Sequence, residues 1–218
     1  MGPSTFKKKY IKLTSNNRLH NLEIPIIGLT GGIASGKSTV SQILHKQKYC
    51  VINADSLIKR IYQEPATLDF ISQLAPHIVS QNKINFKALR EVFFKDPKIQ
   101  EQIESFLYPQ MKTFFIKELD EFKKNNRPNF VIYDVPLLFE KKLDALVDLK
   151  VLVYCPQRMQ IERLISRDKI SEEMAKNIIA HQISIEDKKI RCDFIIDNQK
   201  GHEELLAETL SICKLILD

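Results

Sequence analysis

The sequence predicts an α/β fold built on a parallel sheet, and three observations carry that prediction. Short apolar segments of strand length alternate with segments whose apolar residues recur at helical spacing. The strand segments are apolar at successive positions, which is typical of strands that helices cover on both faces. A glycine-rich loop joins the first strand to the first helix. Sheets of this kind bind ligands beyond the carboxyl ends of their strands, so we expect the functional residues there.

Five segments are candidate strands. They lie at 23–30 (EIPIIGLT), 49–52 (YCVI), 130–133 (FVIY), 150–155 (KVLVYC) and 194–197 (FIID). The first helix is expected over 37–46, because Val40, Ile43 and Leu44 share one helical face. The chain thus begins with strand, glycine loop and helix.

Two longer segments interrupt the alternation. About 75 residues between the second and third strands have helical patterns throughout, whereas a simple crossover needs far fewer. They predict a helical, acceptor-binding insertion over about 56–127 in a single domain of 23–218. A second insertion, over about 157–191, predicts a lid of two or three helices after the fourth strand.

The charge of the chain is concentrated at its start. The net charge is +6, but residues 1–22 hold five Lys or Arg and no acid, which leaves 28 basic against 27 acidic residues elsewhere. A basic arm for an anionic partner is one interpretation of residues 1–22, and a disordered, solvated tail is the one we favour. We therefore expect no nucleic-acid partner.

Cysteine usage and hydropathy indicate the compartment. The cysteines Cys50, Cys155, Cys192 and Cys213 lie far apart and show neither a disulfide framework nor metal-ligand spacing. The apolar runs are of strand length, and no apolar signal core follows the first lysines. We expect reduced thiols, a cytoplasmic location, no membrane contact and a monomer.

The stretch GLTGGIASGKST contains the strongest motif in the chain. Residues 31–38, called the phosphate loop below, match G-x-x-x-x-G-K-[ST], whose backbone N–H groups and following helix N-terminus bind phosphate. Lys37 is expected at the β- and γ-phosphates, Ser38 at Mg²⁺ and Thr39 at the α-phosphate. The predicted contacts to ATP are Gly32, Ile33, Ala34, Ser35, Gly36, Lys37, Ser38 and Thr39.

Other candidates follow the strands or lie in the lid. Asp55, after the second strand, could take a proton from an attacking hydroxyl or cap a helix. Asp134, at the end of the third strand, could hold the Mg²⁺ shell through water or serve as a cap. Arg163 and Arg167 lie four apart without a carboxylate at helical spacing, which suits an arriving triphosphate or simply a solvated face.

Beyond the phosphate loop, the segments INADSLIKR, DVPLLFE, LISRDKISEE and CDFIIDN stand in a specific order and spacing. With the loop they resemble the dephospho-CoA kinase family over about 24–217. The resemblance implies a three-layer P-loop kinase core with a five-stranded parallel sheet of order 2-3-1-4-5, a helical CoA-binding region and a mobile lid. It implies transfer of the γ-phosphoryl group of ATP to the ribose 3′-hydroxyl of dephospho-CoA, the last step of coenzyme A synthesis.

The resemblance also implies roles for individual residues. Asp55 matches the general base of the family. Lys37, Arg163 and Arg167 match positions that neutralise the transferring phosphoryl group, and Asn198 matches a loop near the adenine.

Four positions depart from the family pattern. Ala34 replaces a loop glycine, Asn53 an acid, Lys59 a frequent arginine and Tyr108 a histidine. Ala34 is small enough for the loop to close if its φ is negative. The change at Tyr108 bears on how the acceptor is held.

Three other functions would each require particular sequence features. A kinase for another small acceptor, such as a nucleoside monophosphate, would share the loop, the lid arginines and Asp55. A GTP-driven switch would need D-x-x-G and N-K-x-D segments, and the sequence has neither. A non-catalytic nucleotide- or RNA-binding module would need aromatic residues interleaved with basic ones, and residues 1–22 offer only Phe6 and Tyr10.

Overall fold

The structure, a computed structural model, describes residues 5–218 apart from the side chain of Phe94. Its strands are β1 Ile26–Gly31, β2 Val51–Asn53, β3 Val79–Ser80, β4 Lys83–Ile84, β5 Val131–Asp134, β6 Leu149–Tyr154 and β7 Phe194–Asp197. Its helices are α1 Lys37–Lys46, α2 Ala54–Ile61, α3 Pro65–Leu74, α4 Phe86–Lys95, α5 Pro97–Asn125, α6 Gln157–Asp168, α7 Glu172–Ala180, α8 Ile185–Arg191 and α9 His202–Ile216. The chain divides into two compact units, residues 5–52 with Lys123–Asp218, and Asn53–Phe122.

The first unit is built on a five-stranded sheet of order β2-β5-β1-β6-β7. Counted along the chain, this is the 2-3-1-4-5 order that the resemblance implies. The central strand β1 is buried along its whole length and pairs in parallel with β5 and β6, and β6 pairs in parallel with β7. The predicted parallel sheet is therefore confirmed.

Helices cover both faces of this sheet. Successive strand side chains point to opposite faces, and Val151 and Leu152 show the division. Val151 packs with Val40 of α1 and Ile212 of α9, whereas Leu152 packs with Ile185 of α8. The three-layer prediction is confirmed, and burial on both faces explains why the strand segments are continuously apolar.

The N-terminal segment, residues 5–22, contradicts the predicted disordered tail. Phe6 is buried in the main core and forms an antiparallel bridge with Leu217. Arg18 is buried and ion-paired with Asp148 at 2.7 Å. Disorder was expected from the charge of this segment, but two of its five cations, Lys12 and Arg18, pair with acids far along the chain. Residues 1–4 lie outside the described residues.

The second unit, Asn53–Phe122, overlaps the segment of about 56–127, for which acceptor binding stays a prediction. Helices α3, α4 and α5 enclose an apolar core that includes Ile71, Ile78 and Ile103. The expectation that it is helical throughout is wrong at 79–84, where β3 and β4 form an antiparallel hairpin. Its turn residues, Gln81 and Asn82, have φ of 50° and 55°, which fits a type I′ turn.

Helices α6–α8 are called the lid below after the role predicted for about 157–191, and that role stays a prediction. Its own apolar cluster consists of Leu164 on α6 with Ala175 and Ile179 on α7. Across residues 5–218, we find no helix with both the length and the apolarity that a membrane crossing requires. The four cysteines are free thiols.

Candidate active site

The phosphate loop connects the buried end of β1 to the first turn of α1. Gly36 is the N-cap of α1 and has a φ of 94°, which only glycine adopts readily. A Cβ atom there would overlap the Asn198 amide. At Gly31 a Cβ would lie 2.5 Å from Ser35 Oγ and 3.0 Å from the Val153 carbonyl oxygen. Both glycines are therefore required by space, and Gly36 also by its backbone angle.

Ala34 does not have the negative φ under which the loop was expected to close. Its φ is 59°, in the left-handed region, rather than negative. The loop therefore closes with an L-residue in a conformation that costs about 1–2 kcal/mol. The side chain packs against the apolar cluster of the lid, so a tertiary contact offsets the local strain.

Three consecutive carbonyl oxygens of the loop accept side-chain hydrogen bonds. Gln160 Nε2 donates to Ile33 at 3.0 Å, Arg163 Nη1 to Ala34 at 3.5 Å and Asn198 Nδ2 to Ser35 at 2.7 Å. In a trans peptide the N–H points opposite to the C=O. The amides of Ala34 and Gly36 therefore face away from these side chains, as a loop that binds an anion through its backbone requires.

A buried charge cluster lies behind the loop. The Lys37 ammonium forms an ion pair with Asp134, and Ser41 Oγ donates to the other Asp134 oxygen at 2.5 Å. Asp134 is fully buried at the end of β5. The structure thus brings together two predicted site residues, Lys37 and Asp134, and adds Ser41.

A metal ion at this site would have few protein ligands. Within residues 5–218, no group of three or more His, Cys, Asp or Glu side chains could hold a metal. Mg²⁺ does not need such a group, because it keeps several waters and takes phosphate oxygens with one or two carboxylates. The Ser38 hydroxyl in the first turn of α1 and the Asp134 carboxylate suit this ion.

The two predicted lid arginines have different partners. Arg163 donates to the Asn198 carbonyl oxygen at 2.8 Å as well as to Ala34, so it is held against the loop. Arg167 pairs with Asp168, the next residue, at 2.7 Å. The carboxylate that Arg167 lacks at helical spacing is therefore supplied by its neighbour in sequence. A third arginine of α6, Arg158, is exposed and pairs with Glu162 at 2.9 Å.

Asp55 and Asn198 have defined local positions. Asp55 lies in the first turn of α2, where Asn53 rather than Asp55 is the N-cap and accepts from the Ser56 amide at 2.8 Å. Asn53, a departure from the family pattern, thus serves as a cap. Asn198 is buried, and its amide supports the Ser35 carbonyl. The roles of Asp55 as base and of Asn198 near adenine stay predictions.

Two titratable groups border the loop on β6 and just after it. Burial raises the pKa of the Cys155 thiol, whose sulfur lies 4.0 Å from the Ala34 carbonyl oxygen. A hydrogen bond to Glu186, at 2.7 Å, raises the pKa of Tyr154 to about 12. Both side chains are therefore neutral at physiological pH, and neither can act as a base there.

Sequence reasoning missed two lid glutamines. Gln160 is buried on the same face of α6 as Leu164, and Gln182 Oε1 accepts from the Ile33 amide at 3.0 Å. The sequence carried a signal for Gln160, because this polar residue lies four positions before Leu164 and so shares its helix face. Gln182, beyond α7, gave no comparable signal.

Comparisons with known proteins agree with this geometry. The family model for dephospho-CoA kinase matches residues 25–204. A dephospho-CoA kinase of Fusobacterium nucleatum is 37% identical over 197 residues, covering 89% of this chain and 100% of the relative. One of Enterococcus faecalis is 35% identical, covering 82% and 90%.

Two solved structures are similar to this chain over most of its length. TT1252 from Thermus thermophilus superimposes with a TM-score of 0.79 at 28% identity, covering 88% of this chain and 97% of that one. Dephospho-CoA kinase from Campylobacter jejuni superimposes with a TM-score of 0.63 at 27% identity, covering 88% and 96%. The residues that the family model matches, 25–204, include the five-stranded sheet, the phosphate loop and the lid.

Proposed function

The chain belongs to the dephospho-CoA kinase family, and on that premise we propose which of its residues carry the reaction. The reaction is phosphorylation of the ribose 3′-hydroxyl of dephospho-CoA by ATP, giving CoA and ADP in the last step of coenzyme A synthesis. The proposal rests mainly on the phosphate loop. Side chains donate hydrogen bonds to its carbonyl oxygens, and Lys37 forms an ion pair with Asp134. A kinase for another acceptor is not favoured.

The phosphate loop binds the triphosphate of ATP through its backbone amides and the N-terminus of α1. Lys37 and Arg163 supply positive charge to the phosphoryl group in transfer, and Arg167 does so when it leaves Asp168. Thr39, in the first turn of α1, contacts the α-phosphate. Asn198 holds the loop and borders the adenine.

Mg²⁺ would be held by Ser38 and, through water, by Asp134. When bound, the ion neutralises charge on the β- and γ-phosphates. Asp134 keeps Lys37 in place before the nucleotide arrives, because the two groups form an ion pair. We expect chelation by EDTA to stop ADP formation and added Mg²⁺ to restore it.

Asp55 accepts the proton of the 3′-hydroxyl as that oxygen attacks phosphorus. General bases of this kind contribute about 10²–10⁴ to the rate. We expect Asp55→Asn to lower kcat by about 100-fold or more while the Kd for ATP changes by less than about twofold. Asp69→Asn, at an exposed carboxylate on α3, is the matched control. Near-parental turnover by Asp55→Asn would remove Asp55 from the mechanism.

The acceptor is tested by ADP release from ATP and Mg²⁺ with dephospho-CoA, AMP, adenosine or no acceptor. We expect release only with dephospho-CoA, together with a product heavier by one phosphate. Release only with AMP or adenosine would keep the phosphoryl-transfer chemistry and reject this acceptor. Undiminished activity of Lys37→Ala would reject the role of the phosphate loop itself.

A further inference from the structure

One residue of the phosphate loop, Ile33, has both its N–H and its carbonyl oxygen bound by lid side chains. The Ile33 N–H donates to Gln182 Oε1 at 3.0 Å, and the Ile33 carbonyl accepts from Gln160 Nε2 at 3.0 Å. Gln160 belongs to α6, and Gln182 lies between α7 and α8. Two separate elements of the lid therefore fix the same residue of the loop.

The surroundings show that the loop and Gln160 fit each other closely. Gln160 is 1% exposed, and a buried amide is costly unless it is hydrogen-bonded. A Cβ atom on Gly32 would overlap Nε2 of Gln160, so the absence of a side chain there admits the amide. Ile33 and Ala34 pack on the lid cluster that contains Leu164. An apolar residue could fill the place of Gln160, but it could not orient the Ile33 carbonyl group.

We propose that Gln160 and Gln182 are positioning residues that preset the phosphate loop for the triphosphate of ATP. They fix the orientation of Ile33, and with it the turn that presents the amides of the following residues. Because both bonds join protein groups and need no nucleotide, less conformational entropy is lost when ATP binds. The Ile33 N–H donates to Gln182, so the backbone contacts to phosphate come from the later residues of the loop. The proposal rests on the proposed function for its use of ATP.

The test replaces each amide by an apolar side chain of similar length. Gln160→Met and Gln182→Met are compared with Gln157→Met, which makes the same change at an exposed site one turn earlier on α6. The Kd for ADP is measured by calorimetry without acceptor, and KM values for ATP and dephospho-CoA are measured separately. Thermal melting of each variant without ligand reports folding.

We expect each variant to raise the Kd for ADP and the KM for ATP about five- to tenfold, as loss of one hydrogen bond would. The KM for dephospho-CoA should change by less than about twofold. The two effects should combine to less than their product in the double variant, because both bonds hold the backbone of one residue, Ile33. Gln157→Met should match the parent.

Three outcomes would overturn the proposal. They are a Kd for ADP within twofold of the parent in both single variants, equal increases in both KM values, or a double variant whose effect is the full product. If Gln160→Met does not fold, Gln182→Met decides, because Gln182 is only partly buried. Since ADP binding needs no acceptor, failure of dephospho-CoA as acceptor and failure of this proposal are separately visible.

Discussion

At the scale of single residues, the phosphate loop shows how tertiary contacts permit a backbone that its sequence disfavours. Gly36 adopts a positive φ without cost, whereas Ala34 adopts one against the preference of its Cβ. Ala34 is half-buried against the apolar cluster of the lid. The methyl group is therefore both the source of strain and a packing contact.

Substitution at Ala34 should separate these two effects. Ala34→Gly relieves about 1 kcal/mol of strain but loses the methyl contact and gains entropy when unfolded, so stability should change by less than about 1 kcal/mol. Ala34→Val places a β-branched side chain at positive φ and should lower stability by at least about 2 kcal/mol. Urea denaturation measures both, and equal stability of the two variants would contradict the strain argument.

At the scale of elements, α8 is attached to the segment that follows β5 through a buried ammonium group. Lys188 is fully buried and pairs with Glu140 at 2.8 Å, and it donates to the Pro136 carbonyl oxygen at 3.1 Å. Glu140 also accepts from the Ile183 amide at 3.0 Å. The lid thus contacts the phosphate loop through two glutamines and the segment after β5 through an ion pair.

Removing the ammonium should destabilise the protein strongly. Lys188→Met leaves the Glu140 carboxylate without its cation in a largely buried place, which typically costs about 3–5 kcal/mol. Lys188→Met with Glu140→Gln should recover much of that loss. Lys176→Met is the control, because its pair with Glu172 is exposed and should contribute nothing measurable. The free energy of unfolding in urea decides, and similar losses in both lysine variants would contradict this account.

At the scale of the whole molecule, the N-terminal segment completes the core rather than trailing from it. The Asp218 amide donates to the Thr5 carbonyl oxygen and the Lys7 amide to the Ile216 carbonyl oxygen, so the two ends of the described chain lie side by side. Asp148 accepts from the amide of Ile26, at the start of β1, and from the guanidinium of Arg18. One buried carboxylate therefore fastens the segment to the central strand.

The sequence predicts features whose residues are close together along the chain, and it misses contacts between residues that are far apart. The strands, the phosphate loop and Lys37 were predictable because apolar runs and glycine spacing are local. Burial of Phe6 was not, because its partner, Leu217, lies at the other end of the chain. The hairpin at 79–84 was missed because its turn has no glycine. Gln182 was missed because an uncharged amide gives no sign of a partner 149 positions away.

The buried pair of Arg18 and Asp148 should make stability fall in acid. Burial alone would raise the pKa of Asp148, but hydrogen bonds from Arg18 and from the Ile26 and Leu13 amides outweigh it and lower the pKa. The contribution of the carboxylate is therefore complete above its unfolded pKa of about 3.9. It is lost as pH falls through the lower folded value, where the native carboxylate takes up its proton.

Asp148→Asn tests whether ionisation of this carboxyl group makes stability fall in acid. At pH 7 the variant leaves the Arg18 guanidinium buried without a counter-charge, and we expect a loss of about 3–5 kcal/mol. As pH falls below about 4 the parent protonates the same group, so the difference between parent and variant should shrink. Asp193→Asn removes the partner of Lys12 in a more exposed pair and should cost less. Urea denaturation at pH 7, 5 and 3 measures the difference, and a gap that stays constant across this range would mean that Asp148 contributes through its shape and hydrogen bonds rather than its charge.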